Sequence, residues 1–163
     1  MRRAQTVAVS AALCVGIVAG AVLSQRSAPS NDAARVWLAL PSQTTLATGT
    51  EIAARLQVPD GQGIARSLLG QTEHATLMAV AVRTQELPHR HAKSDLLVIV
   101  LRGQGKMTVG DRTETVRVGD IVFVPKGVPH FFTNTDRAPS VALVLFTPPF
   151  QPGDTVPVND KGK

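Results

Sequence analysis

Residues Gly119 to Asn134 read GDIVFVPKGVPHFFTN, and the order of residue types sets a local path. Ile121 to Val124 is a short β-branched and aromatic run of strand length. Pro125 and Pro129 cannot donate to a ladder, and with Gly127 between them they force a stop and a return. The returning strand, His130 to Thr133, opens with a histidine. A side chain at the start of a strand beside a tight turn can be aimed into the mouth of a barrel, where ligands are commonly held.

Outward from this stretch the same grammar repeats. Ala75 to Val82, Leu96 to Leu101, Lys106 to Val109, Thr113 to Val118 and Val141 to Phe146 are further short runs of strand length. Gly110-Asp111-Arg112 suits a hairpin with a residue at positive φ, and Gly119-Asp120 leads into the next strand. Closely spaced short strands with turn residues between them predict an all-β, antiparallel sandwich or barrel. The one helix expected is short, over Glu51 to Leu56.

Two strands before His130 the chain reads ELPHRHAKSD, residues 86 to 95. In an extended segment side chains alternate between faces, so His89 and His91 point to one side. With the carboxylate of Asp95 close behind, they form a set that suits zinc, iron, manganese or nickel. Taken alone, the segment reads more readily as a solvated surface loop. Glu86 and Arg90 have the opposite parity to the histidines and are expected to face away, as solvated charges with Lys93. His74 is expected at the surface, and Asn134 is expected to bond backbone near the turn.

Together the two stretches resemble the cupin family. Its second motif, G(X)5PXG(X)2H(X)3N, is matched at every fixed position by Gly119, Pro125, Gly127, His130 and Asn134. Its first, G(X)5HXH(X)3,4E(X)6G, is matched by His89, His91 and Gly103, and residues 104 to 118 give the short spacing of small microbial members. The resemblance covers about residues 75 to 150; Pro148 to Phe150 and Asp154 also look like the tails of small bacterial cupins. There are two departures. Arg83 holds the opening glycine position, and the glutamate position is filled either by Asp95, counting on from His91, or by Leu96, counting back from Gly103. A bulge at the strand start would turn Asp95 inward.

The resemblance implies a double-stranded β-helix, or jelly-roll barrel, holding one divalent transition metal (Fe, Mn, Zn or Ni) through His89, His91, Asp95 and His130. It implies an open metal site in an apolar barrel, suited to a dioxygenase-like reaction on a small organic substrate. The alternative is a non-catalytic exported module that binds or senses a small ligand or metal, and the plainer one is three packed histidines in a barrel that has lost its metal. A homodimer is expected, because family members commonly pair barrels and exchange N-terminal strands, which also covers sheet edges.

Composition sets the remaining limits. A net charge of +5 from 17 Lys and Arg against 12 Asp and Glu is scattered, with no basic run and interleaved aromatics, so no nucleic-acid partner is expected. The single cysteine, Cys14, rules out an internal disulfide framework. Arg2 and Arg3 followed by the uncharged run Val7 to Leu23 have the layout of a secretory signal. The protein is therefore expected in the periplasm or outside the cell, with the uncleaved run as a membrane anchor in the alternative. The expected organisation is a signal or anchor over 1–24, a linker and N-terminal extension over 25–63, with a short helical piece in the Ser-, Ala- and Pro-rich part around Trp37, a barrel over 64–150 and a tail over 151–163.

Overall fold

The computed structural model describes residues 35–40 and 43–158; the expected targeting segment, 1–24, lies outside the described residues. Among the described residues no helix is long and apolar enough to cross a membrane.

The expected linker is in part a piece of folded structure. Strands β1 (Arg35–Leu40) and β2 (Gln43–Thr48) pair antiparallel, with Val36 opposite Ala47 and Trp37 opposite Leu46. Alternation divides the hairpin into two faces. Val36 and Ala47 pack with Ile52 against Ala79, Leu101 and Leu143 of the barrel, while Trp37 and Leu46 stay 73% and 59% exposed. The apolar parity of Val36 and Leu38 is a strand signal that the Ser and Pro around it obscured. Helix α1 (Gly49–Arg55) follows directly, one to two residues ahead of its expected place. Thr48 accepts from the Glu51 N–H while the Glu51 carboxylate accepts from the Thr48 N–H, a reciprocal cap of the kind worth about 1 kcal/mol. Ala53, fully buried, seats the helix beside Val58, Ala81 and Val141.

The barrel consists of two five-stranded antiparallel sheets. One runs β3 (Ile64–Gln71), β4 (Thr76–Val82), β11 (Ser140–Thr147), β6 (Asp95–Arg102), β9 (Ile121–Val124). The other runs β12 (Thr155–Pro157), β5 (His89–His91), β10 (His130–Asn134), β7 (Gln104–Val109), β8 (Arg112–Arg117). From β4 to β12 successive strands alternate between the sheets, apart from the β7–β8 hairpin, which is the double-stranded β-helix expected. The inner faces supply Val80, Leu96, Val100, Met107, Val116 and Val144, with others, to one buried cluster. The tail is part of this framework, since β12 pairs along β5 with Thr155 opposite His91.

Two corners fix the position of the histidines. Gly127, at φ +80°, turns the chain between the two prolines, and its N–H donates to the His91 carbonyl at 2.7 Å, so the β9–β10 turn is fastened to β5. Arg83 makes its corner without glycine: its guanidinium donates to the Val58 carbonyl, and Asn134 Nδ2 donates to the Arg83 carbonyl at 2.9 Å. Asn134 therefore bonds backbone, as expected.

Candidate metal centre

His89 and His130 are cross-strand partners on β5 and β10, and His91 lies two residues along β5 on the same face. Ring centroids are 4.4 Å apart for His89 and His130 and 5.2 Å for each other pair. One ring nitrogen from each lies within 4.8 Å of the other two, close enough for the group to hold a metal ion. His91 and His130 are 5% and 2% exposed, and His89 is half-buried.

Two of the rings are held by a backbone carbonyl at Nδ1, and the third faces a carboxylate there. His89 Nδ1 is 2.8 Å from the Leu87 carbonyl and His130 Nδ1 is 3.0 Å from the Val128 carbonyl. Carbonyls only accept, so both nitrogens carry the proton and Nε2 is left as the lone-pair donor. His91 Nδ1 is 3.2 Å from Asp154 Oδ2, at ion-pair distance but off the line of a well-formed hydrogen bond. The other oxygen of this fully buried carboxylate accepts the Lys93 N–H at 2.6 Å. Carboxylate behind imidazole is the arrangement that orients metal-bound histidines. His130 Nε2 is buried with no partner in the protein, a state that costs free energy unless a cation or ligand group meets it. The three histidines fit a divalent ion on this evidence.

The expected fourth ligand does not join them. Asp95 Oδ1 accepts the Lys126 N–H at 2.8 Å, which commits the carboxylate to the β9–β10 turn. The cause is register: Leu96 stands opposite Phe146 and Val124 on a regular stretch, so Leu96 takes the inner face and is 5% exposed. The bulge that would have turned Asp95 inward does not occur at this end; the irregularity of that ladder lies between Val141 and Ala142.

A second correction concerns Glu86. It does not face away as a solvated charge but lines the same cavity as His89, His91 and His130. Regular strand begins only at His89, so parity does not carry back to residue 86. Glu86 N–H donates to the Phe132 carbonyl at 2.9 Å and Glu86 Oε2 accepts the Phe132 N–H at 3.2 Å. The cavity is about 400 Å³ and its walls are chiefly aliphatic, with Phe132, Phe146 and Phe150. Arg66 also lines it. His74, as expected, lies at the surface, 84% exposed at the side chain. Asp154 had no signal of ligand support in the sequence beyond its likeness to family tails.

Burial governs protonation. It lowers His91, with His89 adding to the effect and Asp154 opposing it. Burial lowers His130 to about 4, against the pull of the Val128 carbonyl and with help from His89 and His91. Burial raises Glu86, opposed by His89, Arg66 and the Phe132 N–H. An unfolded histidine titrates near about 6.5, so between that value and about 4 the unfolded chain takes up the proton that folded His130 refuses. The stability due to neutral His130 is whole above about pH 6.5 and lost as pH falls through about 4, at most roughly 3 kcal/mol. Glu86 acts oppositely, its contribution being lost as pH rises through its raised value. Chelator-treated protein should therefore melt at progressively lower temperature across that acid window, and His130→Gln should flatten the decline. An equal decline in parent and variant would assign it to other groups.

The comparisons with known proteins agree with this fold. A family model described as a cupin domain matches residues 76–146. An uncharacterized protein of Aquifex aeolicus is 37% identical over 90 residues, covering 55% of this chain and 74% of that one. Among solved structures, the nucleoside dehydratase Pac13 of Streptomyces superposes with a TM-score of 0.53 at 20% identity, over 66% of this chain and 88% of that one. An oxalate decarboxylase from Lactobacillus farciminis, solved as a formate complex, gives 0.55 at 17% identity, over 64% of this chain and 34% of that one. At such identities the structural likeness is one of fold.

Proposed function

The chain belongs to the cupin family, and from that premise we propose that it binds one divalent transition metal through His89, His91 and His130 and acts on a small organic molecule in the adjoining cavity. The observation that carries this reading is the buried, partnerless Nε2 of His130, standing with two further imidazoles, His89 with Nδ1 at the Leu87 carbonyl and His91 with Nδ1 facing the Asp154 carboxylate. An ion held there would supply Lewis acidity and open positions for water, substrate or dioxygen.

The chain's own groups do the rest. The aliphatic and aromatic walls exclude water and strengthen polar contacts inside. Glu86, tied to the Phe132 backbone, is a carboxyl group beside the centre that can take or give a proton. Its presence favours a dioxygenase-like or other metal-dependent reaction over the sensing module, because it supplies the acid–base group that the sequence had not revealed. Export to the periplasm or beyond is part of the proposal and rests on Arg2, Arg3 and the run Val7 to Leu23.

Protein purified without added metal and analysed for Fe, Mn, Zn and Ni should carry, or take up on dialysis, about one ion per chain. Loaded protein should then consume oxygen with a small phenol or diketone if the reaction is oxygenation. Failure to retain any of the four ions would overturn the metal reading. Retention without oxygen uptake would remove the dioxygenase-like part alone.

A further inference from the structure

Arg66 has no role in the fold that its neighbours reveal. It stands on β3 opposite Val80, and with Met78 and Val82 that residue belongs to the inner wall of the barrel. Parity thus puts a guanidinium on an otherwise aliphatic face. Arg66 is exposed, so its head lies where the cavity opens to solvent. Among the described residues no carboxylate sits at ion-pair distance from it. A guanidinium presents a planar fork matched to a carboxylate.

Polar groups are a minority of the cavity lining. The three imidazoles and Glu86 share the lining with Arg66, while aliphatic side chains make up most of the remainder. A volume of about 400 Å³ is near the low end of the roughly 300–1,000 Å³ of small-molecule sites and accommodates a one-ring body. A positively charged ligand would meet Arg66 at the entrance, and an ion at the histidines would repel it again. A neutral ligand would make no use of the guanidinium's charge. A ligand with a negative head and an apolar body satisfies both the charge and the walls.

We propose that this cavity takes a small organic monoanion, a carboxylate or enolate on an apolar body of about one ring, whose charged head is bound by Arg66 where the cavity opens and whose body lies among the aliphatic walls toward His89, His91 and His130. Glu86 offers a hydrogen bond on the same wall and disfavours a second negative charge beside it. The inference deepens the reading of this cavity as the substrate site and rests on it for the location of the ligand.

The test is calorimetric titration of the full chain, metal-loaded and metal-free, with benzoate, benzyl alcohol and benzylamine as the probes. Benzoate should bind both forms at least about tenfold more tightly than the other two, since a charge-assisted pair is worth that much or more. Arg66→Ala should remove that preference and leave benzyl alcohol unchanged, and Arg66→Lys should restore part of it. The substituted side chain is exposed, and an unchanged melting temperature would show that the variant is folded. Absence of benzoate binding to either form, equal binding of benzyl alcohol or benzylamine, or benzoate binding indifferent to Arg66→Ala would overturn the proposal. Arg66-dependent binding of benzoate by a protein that retains no metal would uphold it while the metal reading fell. One bound ion with Arg66-independent binding would do the reverse.

Discussion

Removing the imidazole of His130 by His130→Ala is expected to lower metal occupancy at least about tenfold, because losing a ligand should cost no less than losing a supporting partner, itself worth about 10- to 100-fold. The expectation rests on a ring that is 2% exposed, held at Nδ1 by Val128 and left with Nε2 unmet. Asp95→Asn is the informative companion. Its side-chain oxygen can still accept the Lys126 N–H, and the group is not among the converging nitrogens, so metal content should match the parent. Elemental analysis of the three proteins side by side decides. Equal metal in parent and His130→Ala would remove the centre from this cluster, and depletion by Asp95→Asn matching that of His130→Ala would restore the carboxylate as a ligand.

Asp154 should produce the second large effect, and two substitutions there should part company. Asp154→Ala strips the part-buried Lys93 N–H of its acceptor, which costs up to about 1–3 kcal/mol, and it removes the carboxylate behind the His91 ring. Asp154→Asn keeps an oxygen for Lys93 but can turn an amide N–H toward His91 Nδ1. That nitrogen then becomes the acceptor, the proton moves to Nε2, and the lone pair needed for a metal is gone. The asparagine variant should thus melt close to the parent yet bind metal about 10- to 100-fold more weakly in competition with a chelator. Metal binding equal to the parent would show that Asp154 supports structure alone.

The turn chemistry was legible because proline and glycine act locally: Pro125, Gly127 and Pro129 bend the chain whatever surrounds them, so His130 could be placed from its neighbours. Asp95 and Glu86 were not, for a shared reason. Facing is set by where regular pairing begins, and that is decided by partner strands far away in the chain. Pairing through Leu96 and Phe146 sends Asp95 to the turn, and irregular backbone before His89 sends Glu86 into the cavity. The hairpin of residues 35–48 had the right parity, but its apolar face gains meaning only against Ala79, Leu101 and Leu143. Asp154 is the extreme case, since only the pairing of Thr155 with His91 brings it near the ring it supports.

That pairing also imposes an order in time. A ribosome makes His89, His91 and His130 before it makes Asp154, and at about 5–20 residues per second the interval between His130 and Asp154 is on the order of seconds. Until Asp154 is made, β5 has no β12 to pair with and His91 lacks the carboxylate that stands behind it. An ion held as proposed would therefore meet a fully supported His91 ring only once that last short strand has paired.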